Sequence, residues 1–170
     1  MILSVGVLAF TTFQRLGELW LSARNTRALK DRGAYEAGRA HYLAMVLLHA
    51  AWLIGLWWFA WDRPVQWPWL TVFAVCQVLR VWVIATLGDR WTTRIIVLPG
   101  APLVARGPYR LIPHPNYAVV VAEIAVLPLA FGLWWYAALF SALNAAMLWV
   151  RIRAENAALK SASGGAAALG

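Results

Sequence analysis

The stretch YLAMVLLHAAWLIGLWWFAWDRPVQWPWLTVFAVCQVLRVWVIATL, residues 42–87, decides the class of fold. Apart from Arg80, its only formal charges are Asp62 and Arg63, which lie beside Pro64 in a short turn. The turn divides the stretch into two apolar runs, 42–61 and 67–87. A helix rises about 1.5 Å per residue and needs about 20 residues to cross about 30 Å of hydrocarbon, so each run is long enough to span a bilayer.

Working outward, residues 1–21 are apolar except for Gln14, Arg15 and Glu18 in the second half, and residues 117–150 are apolar but interrupted by Pro128 and Gly132. Proline and glycine at that point end or kink a helix, which predicts a hairpin. Its arms are short, the first covering about 21 Å. The expected fold is therefore all-α: an integral membrane bundle of about five transmembrane helices, the last two forming a short hairpin.

Composition agrees. Of 170 residues, 62% are hydrophobic and 13% charged, whereas a soluble domain is about a quarter charged. The length suits one domain, 1–160, followed by a tail, 161–170, of Ser, Gly, Ala and Leu169 that is expected to be disordered. The lone Cys76 has no disulfide partner and reads as a packed thiol. No basic residue precedes the first apolar run, so that run reads as a retained helix rather than a cleaved signal.

The formal charge of +8 does not indicate a nucleic-acid partner, because the cations sit between apolar runs. Arg24, Arg27, Lys30, Arg32 and Arg39 follow the first run, Arg90, Arg94, Arg106 and Arg110 follow the third, and Arg151, Arg153 and Lys160 follow the last. Arg63 is the sole basic residue in the opposite turns. The enrichment of Lys and Arg on the cytoplasmic side then predicts five crossings with the N-terminus outside and the C-terminus inside. Trp61, Trp67, Trp69, Trp134, Trp135 and Tyr136 gather at the two outer turns, as an interfacial belt does.

Polar residues inside spans are costly and point to function or to bundle assembly. Arg15, Glu18, Ser22 and Asn25 share one helix face, with Arg15 and Glu18 spaced to pair; assembly is the favoured reading. Arg80 should face inward and meet Glu18 or Glu123. His41, His49 and His114 lack the spacing of a metal set, and no metal is expected. His41 and His49 read as interfacial or hydrogen-bonded bundle residues.

The densest polar segment is GPYRLIPHPNY, residues 107–117. Its prolines and glycine stiffen the backbone and pre-place Tyr109, Arg110, His114, Asn116 and Tyr117 at the mouth of the bundle, which suggests a binding site. Glu123 lies seven residues past Asn116 on the same face, and Asn144, Arg151 and Glu155 align on the closing helix. Gly107-Pro108-Tyr109-Arg110, His114-Pro115-Asn116-Tyr117, the apolar hairpin and Arg151-Ile152-Arg153-Ala154-Glu155 together resemble the C-terminal half of the integral-membrane isoprenylcysteine carboxyl methyltransferase family, including its small bacterial members.

The resemblance implies S-adenosylmethionine as cofactor, bound at the cytoplasmic end by Tyr109, Arg110, His114, Asn116, Tyr117, Arg151 and Glu155, with methyl transfer to a lipophilic acceptor. The acceptor so implied is the carboxylate of a prenylated cysteine or the hydroxyl of a long-chain polyketide or other lipid. Pro113 stands where the family often has Arg and Asn156 where it often has a second acid, and both weigh against the former, while Glu123 within the span resembles the bacterial branch, to which the latter belongs. A hydroxyl needs a proton acceptor, and Glu123 or His114 is expected in that role. The competing readings are an NADPH-dependent membrane reductase of the sterol-reductase type and a non-catalytic scaffold or transport subunit.

Overall fold

The computed structural model describes residues 1–167, with side chains to Ser161. Five helices, α1 (Ile2–Asp31), α2 (Arg39–Ala60), α3 (Trp67–Leu87), α4 (Pro115–Ala130) and α5 (Trp134–Ala167), carry most of the chain, as the hydropathy predicts. α2, α3 and α5 are long and apolar enough to cross a membrane. α1 is less apolar, with Gln14, Arg15 and Glu18 in the second half of its hydrophobic stretch. α4, with 16 residues, covers only about 24 Å.

The expected break in the last apolar stretch is present. α4 ends at Ala130 just past Pro128, and Gly132 turns the chain with φ +71°. Two short closing helices were expected, however, and only α4 is short: α5 runs unbroken for 34 residues. Neither proline nor glycine occurs from Trp134 to Ser161, and the basic stretch that reads as a helix end in sequence simply continues the helix beyond the apolar zone. The backbone is helical past the expected tail boundary to Ala167; the rest of that tail, 168–170, lies outside the described residues.

A two-stranded antiparallel sheet pairs β1 (Tyr35–Ala37) with β2 (Ile95–Val97), joining the α1–α2 connection to the α3–α4 connection. Strands of three residues are too short to show an alternating pattern, so the hydropathy gives no sign of them.

Helix alternation sorts the connections into two ends. At one end Ser4 donates to the Arg63 carbonyl at 2.5 Å, and the Gln66 amide donates to the Ala130 carbonyl at 2.7 Å, gathering the start of α1 with the two short turns. The main core lies toward this end, around Leu8, Trp52, Leu56, Phe73, Leu127, Phe131 and Tyr136. Tyr136 donates to the Trp52 carbonyl at 2.8 Å, and a Cβ on Gly55 would sit 2.2 Å from the Tyr136 oxygen, so only glycine permits this approach of α2 and α5. The opposite end gathers the basic segments, the small sheet and the 107–117 loop. Outward, α2 and α3 expose Leu47, Ile54, Trp58, Val75, Val78 and Trp82, a surface suited to acyl chains.

Candidate functional site

Four charged side chains of α1, α3 and α4 meet in one cluster. Arg15 bonds Glu18 at 2.9 Å and Glu123 at 2.6 Å. Arg80 reaches Glu18 at 3.1 Å and grips Glu123 with both Nε, at 2.7 Å, and a close Nη2 contact. Gln77 adds a fourth donor to Glu123 at 2.9 Å. An ionised carboxylate has about four acceptor positions, so those of Glu123 are all taken. Two guanidiniums face two carboxylates, the arrangement that makes buried charge tolerable. Arg80 thus meets both of the acids expected of it.

Toward the basic end, α1 holds the chain that follows α3. Asn25 Nδ2 donates to the Gly88 and Trp91 carbonyls at 3.1 and 2.9 Å, and the Thr93 amide donates to Ser22 Oγ at 2.8 Å. The segment so anchored positions Arg151 on α5, whose Nη2 donates to the Thr93 carbonyl at 2.7 Å and whose Nε donates to the Tyr117 hydroxyl at 2.9 Å. That hydroxyl in turn donates to Glu155 through a short bond. His114 stacks on Tyr117 with ring centroids 5.2 Å apart and brings Nδ1 within 3.8 Å of Glu155. Asn116 receives Trp91 Nε1 at 3.5 Å.

The loop that presents these groups is built as its composition suggests. Gly107 has φ +54°, and a Cβ there would sit 2.7 Å from Thr86 Oγ1, so glycine lets the turn press onto α3. Pro115 starts α4, where its missing amide hydrogen costs nothing. Tyr109 lies beneath this turn; burial, reinforced by the Glu155 charge, pushes its hydroxyl up to about 12. It therefore remains a neutral hydrogen-bonding group.

Two cavities flank this network. The more polar one, of about 490 Å³ at the basic end, has Arg94, Tyr109, His114, Glu155 and Asn156 in its lining together with apolar groups such as Ile95, Val97, Leu98 and Leu103. An apolar one of about 260 Å³ lies deeper, between α1, α2, α4 and α5, against Leu16, Leu19, Val46, Leu53, Val120 and Leu148. Trp91, Asn116, Tyr117 and Arg151 line both and form the wall between them. Trp52 Nε1, Arg15 Nε and Asn144 Oδ1, all buried without a hydrogen-bond partner, belong to residues bordering the deeper cavity.

Of the expected site residues, Tyr109, His114, Asn116, Tyr117, Arg151 and Glu155 are brought together around the polar cavity. Arg110 is exposed and lines neither cavity, because the turn over Gly107–Arg110 directs it outward. Glu123 is fully buried in the ion cluster and also lines neither. Trp91, Thr93, Arg94 and Met45 had no signal in the sequence, since each acts through a partner on a distant segment.

Arg94 is oriented by such a partner. Glu36 on β1 accepts from it at 2.5 Å and from Lys30 at 3.2 Å. Burial alone would raise the Glu36 carboxyl, but these two cations outweigh it and hold the group below the ordinary carboxylate range. The sheet thus acts as a clamp across the rim of the polar cavity.

A sequence profile of the Isoprenylcysteine carboxyl methyltransferase family matches residues 69–161, the part that supplies α3, the proline-bounded loop, α4 and α5. Over nearly its whole length the chain is also similar to the "Uncharacterized protein YpbQ" of Bacillus subtilis (strain 168), with 38% identity over 162 residues covering 91% of this chain and 95% of that protein. No solved structure matches. The profile covers the walls of the polar cavity and the partition behind it, and the chain belongs to the isoprenylcysteine carboxyl methyltransferase family of membrane proteins.

Proposed function

We propose that this protein is an S-adenosylmethionine-dependent O-methyltransferase acting on a lipophilic acceptor that presents a neutral hydroxyl. The observation that carries the reading is the partition: a polar cavity at the basic end and an apolar cavity within the bundle share Trp91, Asn116, Tyr117 and Arg151. Such a wall suits a reaction between a water-soluble donor and a lipid-soluble acceptor. Lys and Arg enrichment supports a cytosolic basic end, in a cytoplasmic membrane with the N-terminus outside.

The residues around the polar cavity fit the cofactor's chemistry. The stacked His114–Tyr117 pair and Tyr109 offer aromatic faces to a sulfonium. Glu155 offers a carboxylate to its amino or hydroxyl groups, and Arg94 a guanidinium to its carboxylate. S-adenosylmethionine supplies an electrophilic methyl group. Tyr117, fixed by Glu155 and Arg151, sets the line along which an acceptor oxygen in the deeper cavity approaches, and the apolar walls exclude water from it.

The neutral hydroxyl follows from charge balance. Arg15 and Arg80 border the deeper cavity, but their charges are already matched by Glu18 and Glu123. The remaining cation on that cavity, Arg151, is held by Tyr117, Thr93 and Met45, so a carboxylate arriving there would have to draw Arg151 away from them to be compensated.

The test is calorimetric titration of the purified protein in lipid nanodiscs. S-adenosylhomocysteine should bind, Arg151→Lys and Glu155→Gln should each weaken it by about tenfold or more, and Arg110→Ala should leave it unchanged. Binding of NADPH in its place would overturn the reading in favour of a reductase, and binding of neither in favour of a scaffold.

A further inference from the structure

Transfer of a methyl group to a neutral hydroxyl requires an atom that takes the hydroxyl proton, within reach of the acceptor. Neither residue expected in that role borders the deeper cavity: Glu123 is enclosed in the ion cluster, and His114 lies on the polar side of the partition. Among the described residues lining the deeper cavity, the arginines have no acceptor atom. Glu18 is engaged by Arg15 and Arg80 on one oxygen and by Gln14 on the other. The Tyr117 hydroxyl donates to Glu155 and accepts from Arg151.

His49 is different. Its Nδ1 lies 2.8 Å from the Met45 carbonyl oxygen, one turn back on α2. A carbonyl only accepts, so Nδ1 carries the ring hydrogen, and Nε2 is left as an acceptor nitrogen with no bond from the described residues. Met45 also ties this ring to the partition, because Arg151 Nη1 contacts Met45 Sδ at 3.2 Å. Met45 and His49 stand one turn apart on α2, a rise of about 6 Å, so the residue whose sulfur Arg151 touches is the one whose carbonyl holds the His49 ring. The ring stands in the apolar cavity, below the wall across which the methyl group would pass.

We propose that His49 is the general base of the transfer, a role that rests on the methyltransferase reading above. The acceptor oxygen forms its new bond to the methyl carbon as the carbon–sulfur bond breaks and its electron pair stays on sulfur. The hydroxyl proton moves to His49 Nε2, which makes the ring a cation. Charge is conserved, since the sulfonium's positive charge reappears on the imidazolium. Product release then opens the cavity and returns the proton to water. Asn144, whose buried Oδ1 has no partner, borders the same cavity and is suited to orient the polar end of the acceptor.

The test compares two probes in nanodiscs: 3-pentadecylphenol, which is protonated at neutral pH, and a dinitro-substituted analogue with the same chain, which is already ionised and, unlike a carboxylate, spreads its charge over the ring and nitro groups so that burying it costs less. His49→Gln should lower kcat on the first by about 100-fold or more, lower it on the second by less than about threefold, and leave calorimetric binding of S-adenosylhomocysteine unchanged. If His49→Gln does not retain that binding, His49→Asn, whose amide can still donate to Met45, is read by the same criteria. Equal losses on both probes, or no loss on either, overturn the assignment. So does wild-type protein that binds S-adenosylhomocysteine yet methylates neither phenol. Wild-type protein that binds no S-adenosylhomocysteine overturns the methyltransferase reading itself.

Discussion

Glu123 sits between Arg15, Gln77 and Arg80 with no exposure to solvent, and its neutral amide analogue distinguishes assembly from proton transfer. Glu123→Gln leaves two guanidiniums facing Glu18 alone. A surplus buried charge of that kind costs about 3–5 kcal/mol. Denaturant unfolding in detergent should register that loss, and the S-adenosylhomocysteine affinity of the molecules that remain folded should not change. Stability equal to wild type would mean that the cluster is solvated or dispensable. The pairing of Arg80 with both acids was legible in sequence, because a cation so deep in an apolar run has to find an anion. The partners of Arg151 were not, because Thr93 contributes a backbone carbonyl that any residue would supply and Met45 lies on a segment whose approach to α5 nothing in the sequence announces.

At the scale of elements, turns and clamps set the geometry. Gly132 adopts φ +71° between α4 and α5, and a Cβ there would stand 3.1 Å from Gln66 Nε2. Gly132→Ala should lower stability by about 1–2 kcal/mol, the cost of a side chain in the left-handed region, as read by thermal unfolding; an unchanged melting temperature would show that the turn relaxes. The clamp between β1 and β2 responds to acid instead. Glu36 is held below its unfolded value, so its contribution is present above about pH 4.3 and is lost as pH falls through the depressed folded value. Protection of the β1 amides against hydrogen exchange, taken relative to the intrinsic rate at each pH, should therefore fall below about pH 4 in the wild type. Glu36→Gln should exchange fast at every pH, and a wild-type profile that tracks the variant would remove the clamp from the account.

Across the whole molecule, helix alternation places Asp62 at one end and Arg110 at the other, both exposed. Cys76 is buried. With the basic end in the cytosol, a membrane-impermeant maleimide applied to intact cells should label Asp62→Cys and spare Arg110→Cys until the cells are permeabilised. The opposite pattern would reverse the orientation and place the polar cavity away from the cytosolic cofactor supply.

Five helices, the break near Pro128 and the segregation of basic segments could all be read from the sequence, because hydropathy, helix breakers and charge act locally and recur at the spacing of the helix. The candidate cofactor residues on either side of the apolar hairpin were legible too, as a compact pattern of residue types. The unbroken length of α5, the β1–β2 clamp, the outward position of Arg110 and the partition between two cavities were decided only by tertiary structure. Each depends on which distant segments come into contact, and neither hydropathy nor motif spacing encodes the direction in which a side chain leaves its helix or the space that remains between packed helices.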